Sequence, residues 1–174
     1  MILGVCFMFK SVSPYELNVN PFKAIDKEWM LITAGDEKKY NTMTASWGGL
    51  GVIWNKPVAT CYIRPQRYTN EFVDSNEYFT LSFFGDGNYR DALTLCGRKS
   101  GRDIDKAKET GLVPAFDKQA PYFEQAELVF VCRKLHKQRI APEGFVDPAI
   151  ENNYTNGDYH YLYIGEIVDC LVKD

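Results

Sequence analysis

The feature that most limits the fold is a set of five β-forming runs with only short helical patterns between them. They are WMLITAG from Trp29, KPVATCYI from Lys56, YFTLSFF from Tyr78, AELVFVCRKLHKQRI from Ala126 and YHYLYIGEIVDCLV from Tyr159. Each is rich in β-branched or aromatic residues, and several alternate loosely between apolar and polar. The helical patterns are RYTNEFVDSN, with Thr69 as candidate N-cap, NYRDALTLCG closed by Gly97, and DIDKAKETG closed by Gly111. So few helices cannot alternate with the strands, and no GxGxxG or P-loop pattern follows a first strand. The prediction is a mainly β protein, a closed or partly closed β-barrel with short helical insertions. No linker or repeat divides the 174 residues, so one domain over 1–174 is expected.

Composition narrows the function classes. Hydrophobic residues make up 45 % and charged residues 25 %, the balance of a soluble globular chain. The net charge of −3 argues against a nucleic-acid partner. The basic run CRKLHKQR, Cys132 to Arg139, reads as a solvated strand face. Cys6, Cys61, Cys96, Cys132 and Cys170 lie far apart, are odd in number and form no CxxC. With two histidines, this argues against a disulfide framework and a metal site, and for a reducing, cytoplasmic setting. The apolar start MILGVCFMFK is too short to span a bilayer and has no Lys or Arg before it. No membrane partner is expected, and residues 1–12 are read as an extra strand or an arm on a partner chain.

The stretch NTMTASWGGLGVIWNKP, Asn41 to Pro57, puts small hydroxyl residues and glycines where a packed strand would avoid them. On a strand, Thr42, Thr44 and Ser46 share one face and Met43, Ala45 and Trp47 the other. The hydroxyl face serves either as an ordinary solvent side or as a bed for a flat, polar ligand. In IRPQRYTNEF, Arg64 and Arg67 precede a helix start at Tyr68 and Thr69, a candidate phosphate seat or a plain surface turn. The loop LCGRKSGRDIDK, with Cys96, Gly97, Lys99 and Ser100, either covers a ligand or links two helices. His160 stands among Tyr159, Tyr161 and Tyr163, with Asp158 and Glu166 available to orient it.

In their order and spacing, these blocks resemble the flavin reductase-like family, and its flavoredoxin-like branch more closely, from about Ser13 to Lys173. The resemblance implies an FMN-binding split β-barrel that forms a homodimer, with the flavin near the subunit interface. It implies that Thr42, Met43, Thr44, Ala45, Ser46 and Trp47 line the ring and ribityl chain. It places the phosphate on Arg64, Arg67, Tyr68 and Thr69, with further contacts from Cys96, Gly97, Lys99 and Ser100. His160 would stand on the nicotinamide side as the catalytic candidate. The family's Gly-Asp-His motif here reads Gly157, Asp158, Tyr159, His160, one residue longer, and Ala107 replaces the aromatic of an Asp-Lys-Phe motif at Asp105 and Lys106. The implied activity is electron transfer from NADH or NADPH through FMN to flavin, a metal ion or another acceptor. The alternative is a flavoredoxin-type carrier that shuttles electrons between redox protein partners. A third use of such a barrel, binding haem or a pyridoxal-type phosphate, is disfavoured by the lack of an axial histidine.

Overall fold

A computed structural model describes residues 9–85 and 87–174. Ten strands are present among them: β1 Phe9–Ser11, β2 Met30–Gly35, β3 Tyr40–Ala45, β4 Gly48–Ile53, β5 Lys56–Ile63, β6 Tyr78–Phe83, β7 Pro114–Ala115, β8 Tyr122–Phe123, β9 Leu128–Arg139 and β10 Tyr161–Lys173. Three α-helices accompany them: α1 Tyr68–Ser75, α2 Arg90–Arg98 and α3 Lys106–Thr110. The five expected strand runs and three helical patterns all appear. The expectation for residues 1–12 falls partly outside the described residues. Its last part forms β1, antiparallel to the end of β10.

The strand order is β3-β2-β6-β9-β10-β5-β4, with β1 added beside β10, and every pairing is antiparallel. This order forces closure. Six gaps of about 4.8 Å would hold β3 and β4 roughly 29 Å apart in a flat sheet. Yet only Ser46 and Trp47 join the two edges, and three Cα steps reach at most about 11 Å. The sheet therefore curls until β3 and β4 meet, without pairing to each other. The result is a mainly β, split barrel whose seam lies at Ser46 and Trp47.

Strand alternation explains why the sheet is buried on both faces. Met30, Ile32 and Ala34 of β2 point into the barrel core, as do Phe130 and Cys132 of β9. Leu31, Val129 and Val131 point the other way, onto Leu93 and Cys96 of α2 and onto Phe123. Each fully buried side chain of this size contributes about 1.5–3 kcal/mol. The basic run expected to be a solvated face is solvated only in its second half: Cys132 is buried, residues 133–135 are half-buried and His136–Arg139 are exposed. Gly165 does not break the last strand. It sits at a register shift, where a Cβ would meet the Phe79 ring at 2.7 Å and Cys132 Cβ at 2.8 Å. Its bare backbone makes room for the core.

Two helix boundaries differ from the sequence expectation. The N-cap of α1 is Arg67, not Thr69. Thr69 lies inside the first turn, buried, where its Oγ1 accepts from Asn41 Nδ2 at 2.8 Å. Gly97 does not close α2, which runs on to Arg98. Gly111 does cap α3, with φ of 72°.

Candidate functional site

The seam of the barrel carries the cavity that gathers most of the predicted residues. A hollow of about 270 Å³ is lined by Met43, Thr44, Ala45, Ser46, Trp47, Tyr62, Arg64, Arg67 and His160. The local chain explains the gathering. Strand β3 ends at Ala45, so Ser46 and Trp47 lie in the link across the seam rather than in the strand expected to run to Trp47. Strand β5 ends at Ile63 and delivers Tyr62 and Arg64. Strand β10 begins at Tyr161 and pairs with Ile63, which brings His160 beside them.

The two arginines are already engaged. Arg64 forms an ion pair with Asp158 at 2.5 Å and donates to Asn153 O at 2.9 Å. Its guanidinium lies 5.2 Å from the Tyr154 ring centroid. Hydrogen bonds from Gln66 and Arg64 hold the Asp158 carboxyl below the usual range. Arg67 donates to Gly97 O at 2.7 Å and Cys96 O at 3.4 Å, the carbonyl end of α2. A guanidinium has five N–H donors, so each arginine keeps donors for an anion.

His160 is buried, with Nδ1 3.0 Å from the Tyr154 hydroxyl and its ring 5.0 Å from Trp47. Burial, helped by Arg64, pushes its pKa down to about 4, so the ring is neutral at pH 7. The expected orienting carboxylates do other work. Asp158 pairs with Arg64, and Glu166 is held by Lys56 and Arg133, both at 2.7 Å. The partner of His160 is Tyr154, six residues earlier, in an aromatic cluster that the sequence reading left unused. Tyr62 was also overlooked, although it sits among the alternating residues of KPVATCYI.

The remaining predicted residues stand around the cavity rather than in its wall. The Thr42 hydroxyl bonds Thr33 Oγ1 at 2.9 Å, and its carbonyl accepts from Lys106 Nζ at 2.7 Å. Thr44 reaches the cavity, but its Oγ1 donates to Leu93 O of α2 at 2.5 Å. Cys96 and Gly97 offer backbone carbonyls, and burial pushes the Cys96 thiol up to about 11. Tyr68 lies under the Arg102 guanidinium at 4.3 Å. Lys99 is exposed, and the Ser100 hydroxyl accepts from Arg102 N–H at 3.2 Å. Lys106 is buried and also donates to Cys96 O at 2.9 Å. That desolvation brings its pKa down to about 8.

A second, apolar hollow of about 570 Å³ adjoins the first and shares Ser46, Trp47 and Tyr62 with it. Phe22, Ile25, Gly48, Gly49 and Leu50 complete most of its wall. Gly48 and Gly49 thus lie on edge strand β4, in the wall of this hollow. Among the described residues no cluster of side chains suits a metal ion, and no helix is long and apolar enough to cross a membrane.

The fold and site define a split, mainly β barrel whose seam cavity holds two guanidinium groups and adjoins an apolar annex. The flavin reductase-like domain model matches residues 22–174, and the chain belongs to that family. Solved structures share the fold at low identity. Flavoredoxin of Desulfovibrio vulgaris (Miyazaki F) is 23% identical with a TM-score of 0.63, over 95% of this chain and 76% of that one. Flavoredoxin from Methanosarcina acetivorans is 22% identical with a TM-score of 0.63, over 82% and 67%. An FMN-binding domain of a flavin reductase-like enzyme from Shewanella baltica OS155 is 16% identical with a TM-score of 0.68, over 97% and 78%. A search of curated proteins finds no match.

Proposed function

We propose that the chain, acting as one domain over 1–174, binds FMN at the β3–β4 seam and works as a flavin-dependent oxidoreductase. The observation that carries this reading is the meeting of Thr44–Trp47, both arginines and His160 in one cavity of a flavin reductase-like chain. The residues fit the group. The polar hollow and its apolar annex, joined at Ser46, Trp47 and Tyr62, suit a flat heterocycle with one polar and one apolar edge. Met43, Thr44, Ala45, Ser46 and Trp47 would hold the ring, with Thr42 fixing the strand behind them. Arg64 and Arg67 would hold the phosphate. Tyr68, Thr69, Cys96, Gly97, Lys99 and Ser100 would support that end, Cys96 and Gly97 by fixing Arg67 through their carbonyls.

FMN held there would supply the redox chemistry, a two-electron transfer from NADH or NADPH, which would leave as NAD(P)⁺, to free flavin, a metal ion or another acceptor. The protein's part is binding, orientation and the exclusion of water. His160, neutral and buried at the wall, would orient the nicotinamide rather than carry charge.

A second reading is a flavoredoxin-type carrier without a small-molecule substrate. Trp47 favours it, being 42% exposed at the cavity, where a redox protein could reach it. A homodimer is supported by the apolar run at the exposed end of β4, where Val52 is 63% and Trp54 54% exposed. Buried free Cys61, Cys96, Cys132 and Cys170 support a reducing, cytoplasmic setting.

The deciding experiment is an absorbance spectrum of the protein reconstituted with FMN, followed by anaerobic addition of NADH and then NADPH. Rapid bleaching of flavin bands supports the oxidoreductase. Bands that persist with both nucleotides but bleach with dithionite support the carrier. An unbound FMN spectrum overturns both.

A further inference from the structure

Two histidines occur in the chain, and only His160 lines the seam cavity. We propose that Tyr154 is a positioning residue that fixes His160 as the tautomer protonated on Nε2, so that the cavity wall presents a hydrogen-bond donor to its ligand. The nature of that ligand, a carbonyl or carboxamide oxygen of a flavin or nicotinamide, rests on the FMN reading above. The tautomer does not.

The argument starts from donors and acceptors. A neutral imidazole has one N–H and one bare nitrogen. The charged groups facing the ring are Arg64, which disfavours a second proton, and Asp158, which is claimed by Arg64 and Gln66. The Tyr154 hydroxyl is buried, and desolvation keeps its proton on. Its hydrogen-bond partner is His160 Nδ1 at 3.0 Å. Two proton arrangements satisfy that distance. If Nδ1 carried the proton, the phenol would accept, and its own buried O–H would have no partner among the described residues. If the phenol donates to a bare Nδ1, the phenol proton is paired, and the ring proton sits on Nε2 of a side chain in the cavity wall, an atom that is not among the fully buried, unpaired ones. The second arrangement wins because a buried, unpaired donor costs more than a hydrogen bond gains.

The phenol is held in place independently of this bond. The Phe145 ring stacks on Tyr154 at 5.9 Å and 13°, and Tyr159 lies 4.9 Å away. The Arg64 guanidinium covers the ring at 5.2 Å. Tyr154 N–H donates to Glu151 O at 2.8 Å, and its carbonyl accepts from Gly157 N–H at 2.9 Å. The His160 ring also packs on the Trp47 ring at 5.0 Å. The loop between β9 and β10 thus acts as a clamp that sets which nitrogen carries the proton.

Nitrogen NMR of the ¹⁵N-histidine protein tests this without added ligand. Two imidazoles give signals, and a His136→Asn variant assigns them. The expected wild-type pattern at pH 7 is one His160 ring with a pyrrole-type Nε2 and a pyridine-type Nδ1. Tyr154→Phe keeps the stacked ring and removes the donor, so the single-tautomer pattern should give way to a mixture. A proton on Nδ1 in the wild type, or an unchanged pattern in Tyr154→Phe, overturns the proposal. If that variant fails to fold, the wild-type pattern decides. An FMN titration of the same samples is read separately. A protein that ignores FMN but shows the Nε2–H pattern loses the flavin reading and keeps the clamp.

Discussion

The start of strand β3 and the link that follows its end carry residues of one kind and meet opposite fates. At the start, the Asn41 and Thr42 side chains are consumed. Asn41 bonds Thr69, Thr42 bonds Thr33, and Lys106 crosses from α3 to the Thr42 carbonyl. A polar hollow of about 420 Å³ borders this end, and in its wall Asn41, Thr42, Arg102 and Lys106 already bond their neighbours. Past the Thr44 bond to α2, the link borders open space. The Ser46 hydroxyl has no side-chain partner among the described residues, and Trp47 is half exposed between two hollows. Small hydroxyl residues are therefore not a ligand bed by themselves. They become one where the fold leaves them unclaimed, and the seam of a split barrel does that.

The largest effect is expected from unfastening the closed end. Lys106→Met removes both donors to the Thr42 and Cys96 carbonyls. Unpaired buried acceptors cost about 1–3 kcal/mol each, offset in part by no longer burying an ammonium. A net loss of about 1–3 kcal/mol is expected in urea melts, and equal stability would dissolve the contrast between the two ends. Stability should also depend on pH through this residue. The folded pKa is about 8, against an ordinary 10.5. Between those values the unfolded chain binds more protons, so wild-type stability rises with pH relative to Lys106→Met. A flat difference from pH 8 to 10.5 would mean the amine is not desolvated.

The same contrast explains what could be read from the sequence. The strands were legible because β-branched and aromatic runs have a short period that survives without context. The closure of the sheet was legible only as a class, since Ser46 and Trp47 become a seam once the strand order is known. Arg64, Arg67 and His160 were found by residue type and placed together by the fold. Their partners were hidden, because Tyr154 and Glu166 both lie six residues from His160 in sequence, and only the fold shows that Tyr154 reaches it while Asp158 and Glu166 pair elsewhere. Thr42 and Thr44 looked like Ser46 because periodicity sees a face, and α2 and α3, which cover that face, return from distant sequence. Lys106 was noticed as a motif fragment. Its role as a fastener needed the distance to Thr42.

The open end should respond in binding rather than in stability. Arg64→Ala removes a charged donor whose ion pair with Asp158 is part exposed, so the fold should lose less than about 1 kcal/mol. A hydrogen bond to a charged phosphate is worth about 1.5–3 kcal/mol, so FMN affinity should fall about 10- to 100-fold. Unchanged affinity by fluorescence titration would remove Arg64 from the phosphate seat. His160 adds an acid limit to the same end. Its folded pKa of about 4 lies below the ordinary 6.5, so the unfolded chain takes up more protons between them and stability falls as pH drops through that window. His160→Gln should flatten that part of the stability curve, and an unaltered slope would show that other groups set it.

The smallest effects come from paired hydroxyl deletions, and they divide the two ends most sharply. Thr42→Val keeps shape and removes a buried hydroxyl bonded to Thr33 and to Ile32 O. It should cost about 1 kcal/mol of stability and leave FMN affinity unchanged. Ser46→Ala removes a hydroxyl that bonds no other side chain, so stability should stay within about 0.5 kcal/mol. A ligand that uses this hydroxyl loses one neutral hydrogen bond of about 0.5–1.5 kcal/mol, a fall in FMN affinity of about 2- to 10-fold. The reverse pattern, a stable Thr42→Val that binds poorly beside a destabilised Ser46→Ala, would place the ligand at the helix-covered end. The seam would then be a structural closure rather than a binding site.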